Sequence, residues 1–126
     1  MPRRIETVLL VDDDADVRML AELALESVGG WRAVLAASGD EGVAIAREER
    51  PDVIILDVVM PEMDGPATLR ALRACPDTAE IPVVFCTARS GKDDVDALVA
   101  MGACGVIEKP FDPMALSAEL ERILAD

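Results

Sequence analysis

Val53-Ile54-Ile55-Leu56-Asp57 places four apolar residues directly before a carboxylate, and Met60-Pro61 turns the chain soon afterwards. A continuous apolar run this short suits a strand covered on both faces, as in a parallel sheet between helix layers. Comparable runs lie at Val8 to Val11, Val34 to Ala37, Val83 to Cys86 and Val106 to Ile107. Four of the five lead into polar residues of one chemically coherent set: Asp12 with Asp13, Asp57, Thr87, and Lys109. In an open parallel sheet the loops at the carboxyl ends of the strands converge on one crevice, so these distant residues form one site. Three carboxylates, a hydroxyl and an ammonium are the groups that a divalent cation and a phosphoryl group require.

Between the runs the apolar residues follow a helical period. From Ala15 to Val28, Val17, Leu20, Ala21, Ala24 and Val28 form one stripe, with Ala15, Arg18, Met19 and Glu22 opposite. Ser38 with Glu41, and Ser90 with Asp93, have capping-box spacing, while Pro66 and Pro113 suit a first helical turn. Gly29 and Gly30 end the first helix and Pro51 the second. The last helix is expected over Pro113 to Leu124, with Leu116, Leu120 and Ile123 inward. Strict alternation of five strands and five helices predicts an α/β fold, a doubly wound parallel sheet between two helix layers.

The chain has 126 residues, enough for one domain, expected over residues 5–125. Its 12 basic and 25 acidic residues give a net charge of -13, which repels nucleic acid and anionic membrane and favours cations or basic partner patches. Acidic surface also serves solubility, the simpler reading for carboxylates outside the crevice. Cys75, Cys86 and Cys104 have no CxxC spacing and no His accompanies them, so they read as reduced thiols. Cys86 reads as a buried small hydrophobe. The charged amino terminus meets only the short run Val8 to Val11, unlike a signal peptide, and no run has the ~20 apolar residues of a membrane helix. A soluble cytoplasmic domain is the expectation.

Asp12-Asp13-Asp14 closes the first run. Adjacent carboxylates repel unless a cation lies between them, and Mg2+ takes oxygen ligands from one or two carboxylates plus a phosphate. Capping of the first helix by Asp14 or Asp13 explains the triplet equally well. Asp57, at the crevice mouth, has the chemistry of a nucleophile toward phosphorus, or of a turn residue bonding its own backbone, a role that suits Asp64 better. Thr87 is a phosphoryl hydrogen-bond donor or an ordinary β-branched strand end. Lys109 is a phosphate counter-charge, a partner for Asp57, or a solvated surface charge.

Taken together, VLLVDDDADVR, VIILDVVMPEMDG, VVFCTA and GVIEKPF resemble the receiver domain of two-component response regulators over essentially the whole chain. The resemblance implies a flavodoxin-like (βα)5 fold with sheet order 2-1-3-4-5. It implies that Asp57 accepts a phosphoryl group from the phosphohistidine of a sensor histidine kinase or phosphotransfer protein. Asp12, Asp13, Asp57 and the backbone carbonyl of Val59 would hold Mg2+, for which Mn2+ could substitute. Thr87 and Lys109 would contact the phosphoryl oxygens, and a cis bond would precede Pro110. Such a domain is no enzyme beyond self-phosphorylation and slow autodephosphorylation.

Val106 stands where many receivers carry the aromatic residue that reports phosphorylation, so the signal is expected to travel through the Thr87 loop and fourth helix. Val59 and Arg89 would set the phosphate lifetime. Ala15, Arg18 and Met19 resemble the kinase-docking surface. The fourth helix, fifth strand and fifth helix, with Ala97, Met101 and Arg122, would face a downstream effector. Whether the chain acts alone or comes from a longer protein stays open. Two rivals remain: a haloacid dehalogenase-type phosphatase using Asp12 and Asp14, and a receiver-like interaction module that is never phosphorylated.

Overall fold

A computed structural model describes residues 4–125. Five parallel strands, β1 (Thr7–Val11), β2 (Arg32–Ala36), β3 (Val53–Asp57), β4 (Val83–Thr87) and β5 (Gly105–Glu108), form one sheet in the order β2-β1-β3-β4-β5. Helices α1 (Ala15–Leu23), α2 (Gly39–Glu49), α3 (Gly65–Ala74), α4 (Lys92–Ala100) and α5 (Leu116–Leu124) alternate with them. This is the flavodoxin-like doubly wound order expected from the resemblance.

Alternation along each strand divides the core in two. Leu9, Val11, Ile54, Leu56, Val83 and Phe85 point to one side, where they meet Ala46, Leu69, Leu72 and Leu98 of α2, α3 and α4. Val8, Leu10, Val53, Ile55, Val84, Cys86 and Ile107 point to the other, against Ala21 of α1 and Leu116 and Leu120 of α5. Val8 to Val11, Val53 to Leu56 and Val83 to Cys86 are therefore buried on both faces of the sheet, which is why they read as unbroken apolar runs. Burial of the Cys86 thiol pushes its pKa up to about 12, and all three cysteines are free.

Several local expectations are corrected. Beyond Leu23 the first helix continues as a π-helical segment, Ala24–Val28, before Gly30 reverses the chain at φ 73. The wider turn brings Leu25 into the core in place of Val28, which is exposed, and Leu20, ahead of that turn, is exposed as well. Ser90 does not cap α4. The cap is Gly91, without a side-chain bond, and the Ser90 hydroxyl instead donates to the Glu108 carboxylate. α5 starts at Leu116, not Pro113, because residues 113–115 form a turn in which Met114 N–H donates to Asp112 Oδ1 and Ala115 N–H to Asp112 O.

Other boundaries agree. Ser38 Oγ accepts from Glu41 N–H at 3.2 Å, and the Glu41 carboxylate reaches back to Ala37 N–H at 3.1 Å. Asp64 caps α3 through Ala67 N–H, with Pro66 in the first turn. α2 ends at Glu49, before Pro51, with Arg50 in the left-handed region.

Candidate phosphoryl and cation site

The strand register aligns the site before any side chain is considered. Val11 pairs with Leu56, Asp57 with Cys86, and Thr87 with Glu108. Asp12 therefore leaves β1 at the level where Asp57 ends β3, and Lys109 follows one step past the Thr87 pair. All four expected strand ends open onto the same edge of the sheet.

Asp12 is 1% exposed and Asp57 6%, so Asp57 lies in the floor of the crevice, not at its mouth as the sequence suggested. Asp13 alone of the three carboxylates is exposed. Asp12 Oδ1 accepts the Asp14 N–H at 2.9 Å and Oδ2 accepts from Lys109 Nζ at 2.8 Å. The same ammonium lies 3.2 Å from Asp57 Oδ1. The Lys109–Pro110 bond is cis. Thr87 is buried, and its Oγ1 accepts from Arg89 N–H at 3.0 Å, which leaves the hydroxyl proton free to donate elsewhere.

Burial pushes the Asp57 carboxyl up from its ordinary 3.8 to about 6, and the charge of Asp12 adds to the rise. Lys109 and the Val59 backbone amide oppose it. Burial alone would lower the Lys109 pKa, but the hydrogen bond and charge of Asp12, with Asp57, raise it above the usual lysine value. The ammonium is thus held charged between two carboxylates that would otherwise repel.

One carboxylate oxygen from each of Asp12, Asp13 and Asp57 falls within 4.8 Å of the others. Oxygen-only donors, high negative charge and one side open to water fit a hard, partly hydrated divalent cation such as Mg2+. The start of α3 packs tightly against the end of β3 beside this cluster. A Cβ on Gly65 would lie 2.5 Å from the Asp57 carbonyl oxygen and 2.8 Å from Val58 Cα, so α3 can approach the site only with glycine there. Val59 is 74% exposed beside Asp57.

Asp14 is not part of the cluster. Its Oδ1 accepts from Asp16 N–H at 2.9 Å and Val17 N–H at 3.4 Å, so it is the α1 cap. Arg18, expected on the solvent side of α1, folds back so that its guanidinium donates to the Asp12 carbonyl at 2.8 Å. Sequence reasoning missed this link because it depends on the path of the loop after β1. Ala15 and Met19 are exposed as expected.

With this geometry in view, residues 8–121 match the family model of the response regulator receiver domain. Among curated proteins, the chain is 38% identical over 120 residues to the transcriptional regulatory protein AfsQ1 of Streptomyces coelicolor, covering 94% of this chain and 51% of that protein. It is 39% identical over 117 residues to the transcriptional regulatory protein PrrA of Mycobacterium tuberculosis, covering 93% and 49%. The chain spans about half the length of these curated relatives. Among solved structures it resembles the chemotaxis response regulator CheY4 of Vibrio cholerae, with TM-score 0.87 and 34% identity over 96% of this chain and 100% of that one. A putative response regulator from Chloroflexus aurantiacus gives TM-score 0.85 and 33% identity, covering 98% and 100%.

Proposed function

This chain belongs to the response regulator receiver domain family, and we propose that, as a single receiver domain over residues 5–125, it takes a phosphoryl group on Asp57 in a Mg2+-dependent reaction. The observation that carries this reading is the convergence of Asp12, Asp13 and Asp57 within 4.8 Å, with Lys109 bridging the two buried acids. Receiver domains of two-component regulators interact with histidine kinases and effector domains and are generally not true enzymes.

At neutral pH a carboxyl with a pKa of about 6 is mostly ionised, and Lys109 occupies only one of its oxygens. The other oxygen attacks phosphorus in line. The Asp57 O–P bond forms as the P–N bond to the donor's imidazole breaks, and the imidazole leaves with the bonding electrons. Asp12, Asp13, Asp57 and the Val59 carbonyl would hold Mg2+, which supplies charge neutralisation and alignment of the phosphoryl oxygens. Lys109 turns from the Asp57 carboxylate to the new phosphoryl oxygens, and the Thr87 hydroxyl donates its free proton to one of them.

The Thr87 movement draws on the loop that Arg89 N–H and Ser90 tie down, and this loop leads into α4. Val106 is half-buried against the core and has no hydroxyl or ring to report the change, so α4 is the readout element. Ala97, Met101 and Arg122 are exposed on the α4–β5–α5 side and form the proposed effector face. Ala15 and Met19 form the proposed kinase-docking face. The acidic balance disfavours direct nucleic-acid or membrane contact, no described helix is long and apolar enough to cross a membrane, and a cytoplasmic location fits the proposed partners.

The phosphatase reading needs Asp14 free for acid–base work, whereas its carboxylate caps α1. A module that is never phosphorylated would have no use for the complete acid, Thr and Lys set. Incubation with acetyl phosphate and Mg2+ followed by intact mass tests the proposal. One phosphoryl group is expected on the wild type, none on Asp57→Asn, and none after chelation. A folded protein that gains no mass, even with its cognate kinase, would overturn it.

A further inference from the structure

Asp12 is held at every polar atom. Its N–H donates to the Ala36 carbonyl at 3.0 Å, Oδ1 accepts from Asp14 N–H at 2.9 Å, Oδ2 from Lys109 Nζ at 2.8 Å, and its carbonyl oxygen from the Arg18 guanidinium at 2.8 Å. Asp14 is fixed in turn as the cap of α1. Asp13 stands exposed between these two pinned neighbours, so the direction of its carboxylate depends on the peptide planes that flank it. The Asp12 carbonyl belongs to the first of these planes, and Arg18 is the side chain that fixes it. Arg18 can reach it because helical side chains lean towards the amino terminus. Its own N–H donates to Asp14 O at 3.0 Å, which places its side chain one turn into α1 and over the loop that it ties.

We propose that Arg18 is a positioning residue for the cation: by holding the Asp12–Asp13 peptide it aims the Asp13 carboxylate towards Asp12 and Asp57. The inference rests on divalent-cation binding by these three acids and adds a residue that supplies no carboxylate of its own. The guanidinium has two effects of opposite sign. As a charge near a dication it repels, so its loss would tighten Mg2+ binding. As an anchor it keeps the peptide from turning, so its loss leaves Asp13 to be ordered only when the cation binds, which weakens binding. The anchor dominates, because Arg18 is only half-buried and water screens its charge, whereas the charge-assisted bond to the carbonyl is short and directional.

The test is a Mg2+ titration of the whole chain, followed by amide NMR shifts with no phosphodonor present. Arg18→Met, which keeps the apolar stem and loses both donor and charge, is expected to bind Mg2+ about tenfold more weakly than the wild type. Arg18→Lys keeps the charge and a single donor, and its affinity is expected to fall between the two. Arg18→Met binding as tightly as the wild type, or tighter, overturns the inference alone and leaves Arg18 as a surface charge. Arg18→Lys binding no more tightly than Arg18→Met also overturns it. The same spectra report the fold, and Arg18→Gln, neutral and shorter, is read in the same way should Arg18→Met not fold. A wild type whose shifts do not respond to Mg2+ overturns the cation reading of the site and the inference with it.

Discussion

Lys109 Nζ lies 2.8 Å from Asp12 Oδ2 and 3.2 Å from Asp57 Oδ1, so one ammonium from the end of β5 spans two buried carboxylates at the ends of β1 and β3. Removing it leaves two like charges in the crevice floor. Lys109→Ala is expected to cost about 2–3 kcal/mol, at or just below the range for breaking a fully buried pair, because the lysine keeps contact with water. The Asp57 carboxyl should titrate above its present value of about 6, since a group that lowers it is gone. Urea denaturation in the absence of metal and NMR titration of Asp57 check both. Phosphorylation should remain possible, with a weakened conformational response; unchanged stability and an undiminished response would contradict the bridging role.

The elevated Asp57 pKa makes a signed prediction for stability. Folding raises it from 3.8 to about 6, so between these values the folded state binds more protons than the unfolded state. Its contribution is therefore fully favourable below pH 3.8 and is lost as pH rises through about 6. Asp57→Asn, which cannot ionise, should be more stable than the metal-free wild type at pH 7 by on the order of 1–3 kcal/mol. The advantage should vanish near pH 4. Paired urea melts at the two pH values measure this difference, and equal stabilities at pH 7 would refute it.

Asp13 separates cation binding from folding, because it is the exposed member of the cluster. Asp13→Asn should change metal-free stability by no more than about 0.5 kcal/mol. Mg2+ at a hundred times its dissociation constant should stabilise the wild type by about 2.7 kcal/mol, and the same concentration should stabilise the variant much less. Thermal melts with and without Mg2+ give the comparison. Equal Mg2+ stabilisation in the two proteins would remove Asp13 from the site.

Asp14 decides between receiver and phosphatase. Its carboxylate accepts the Asp16 and Val17 N–H groups, so Asp14→Ala should cost about 1 kcal/mol as a lost helix cap. Phosphorylation should persist in the variant. Turnover of phosphate esters by the wild type that disappears in Asp14→Ala would favour the phosphatase.

The sheet was legible because its central strands are buried on both faces, so Val53 to Leu56 and Val83 to Cys86 stand out as apolar runs without reference to their partners. The site followed from the same fact: whatever comes after such a run stands at the sheet's carboxyl edge. Contacts formed by folding back were not legible. Ser90 has the spacing of a cap, yet its hydroxyl finds Glu108, 18 residues away in sequence. Arg18 satisfies the surface pattern of α1 but reaches the Asp12 carbonyl. The exchange of Val28 for Leu25 in the core follows from a π-helical turn, which a uniform helical period cannot anticipate. Asp57 is buried beside Asp12 and Lys109, and strand ends alone do not reveal that depth.

Asp57, and no other residue, is expected to carry the phosphoryl group. Phosphorylation with acetyl phosphate and Mg2+, borohydride reduction of the acyl phosphate to homoserine, and peptide mass mapping locate it directly. Homoserine at position 57 alone is the result expected. Homoserine at Asp12, Asp13 or Asp14, or none anywhere in a folded, Mg2+-supplied protein, would rule out Asp57 as the acceptor.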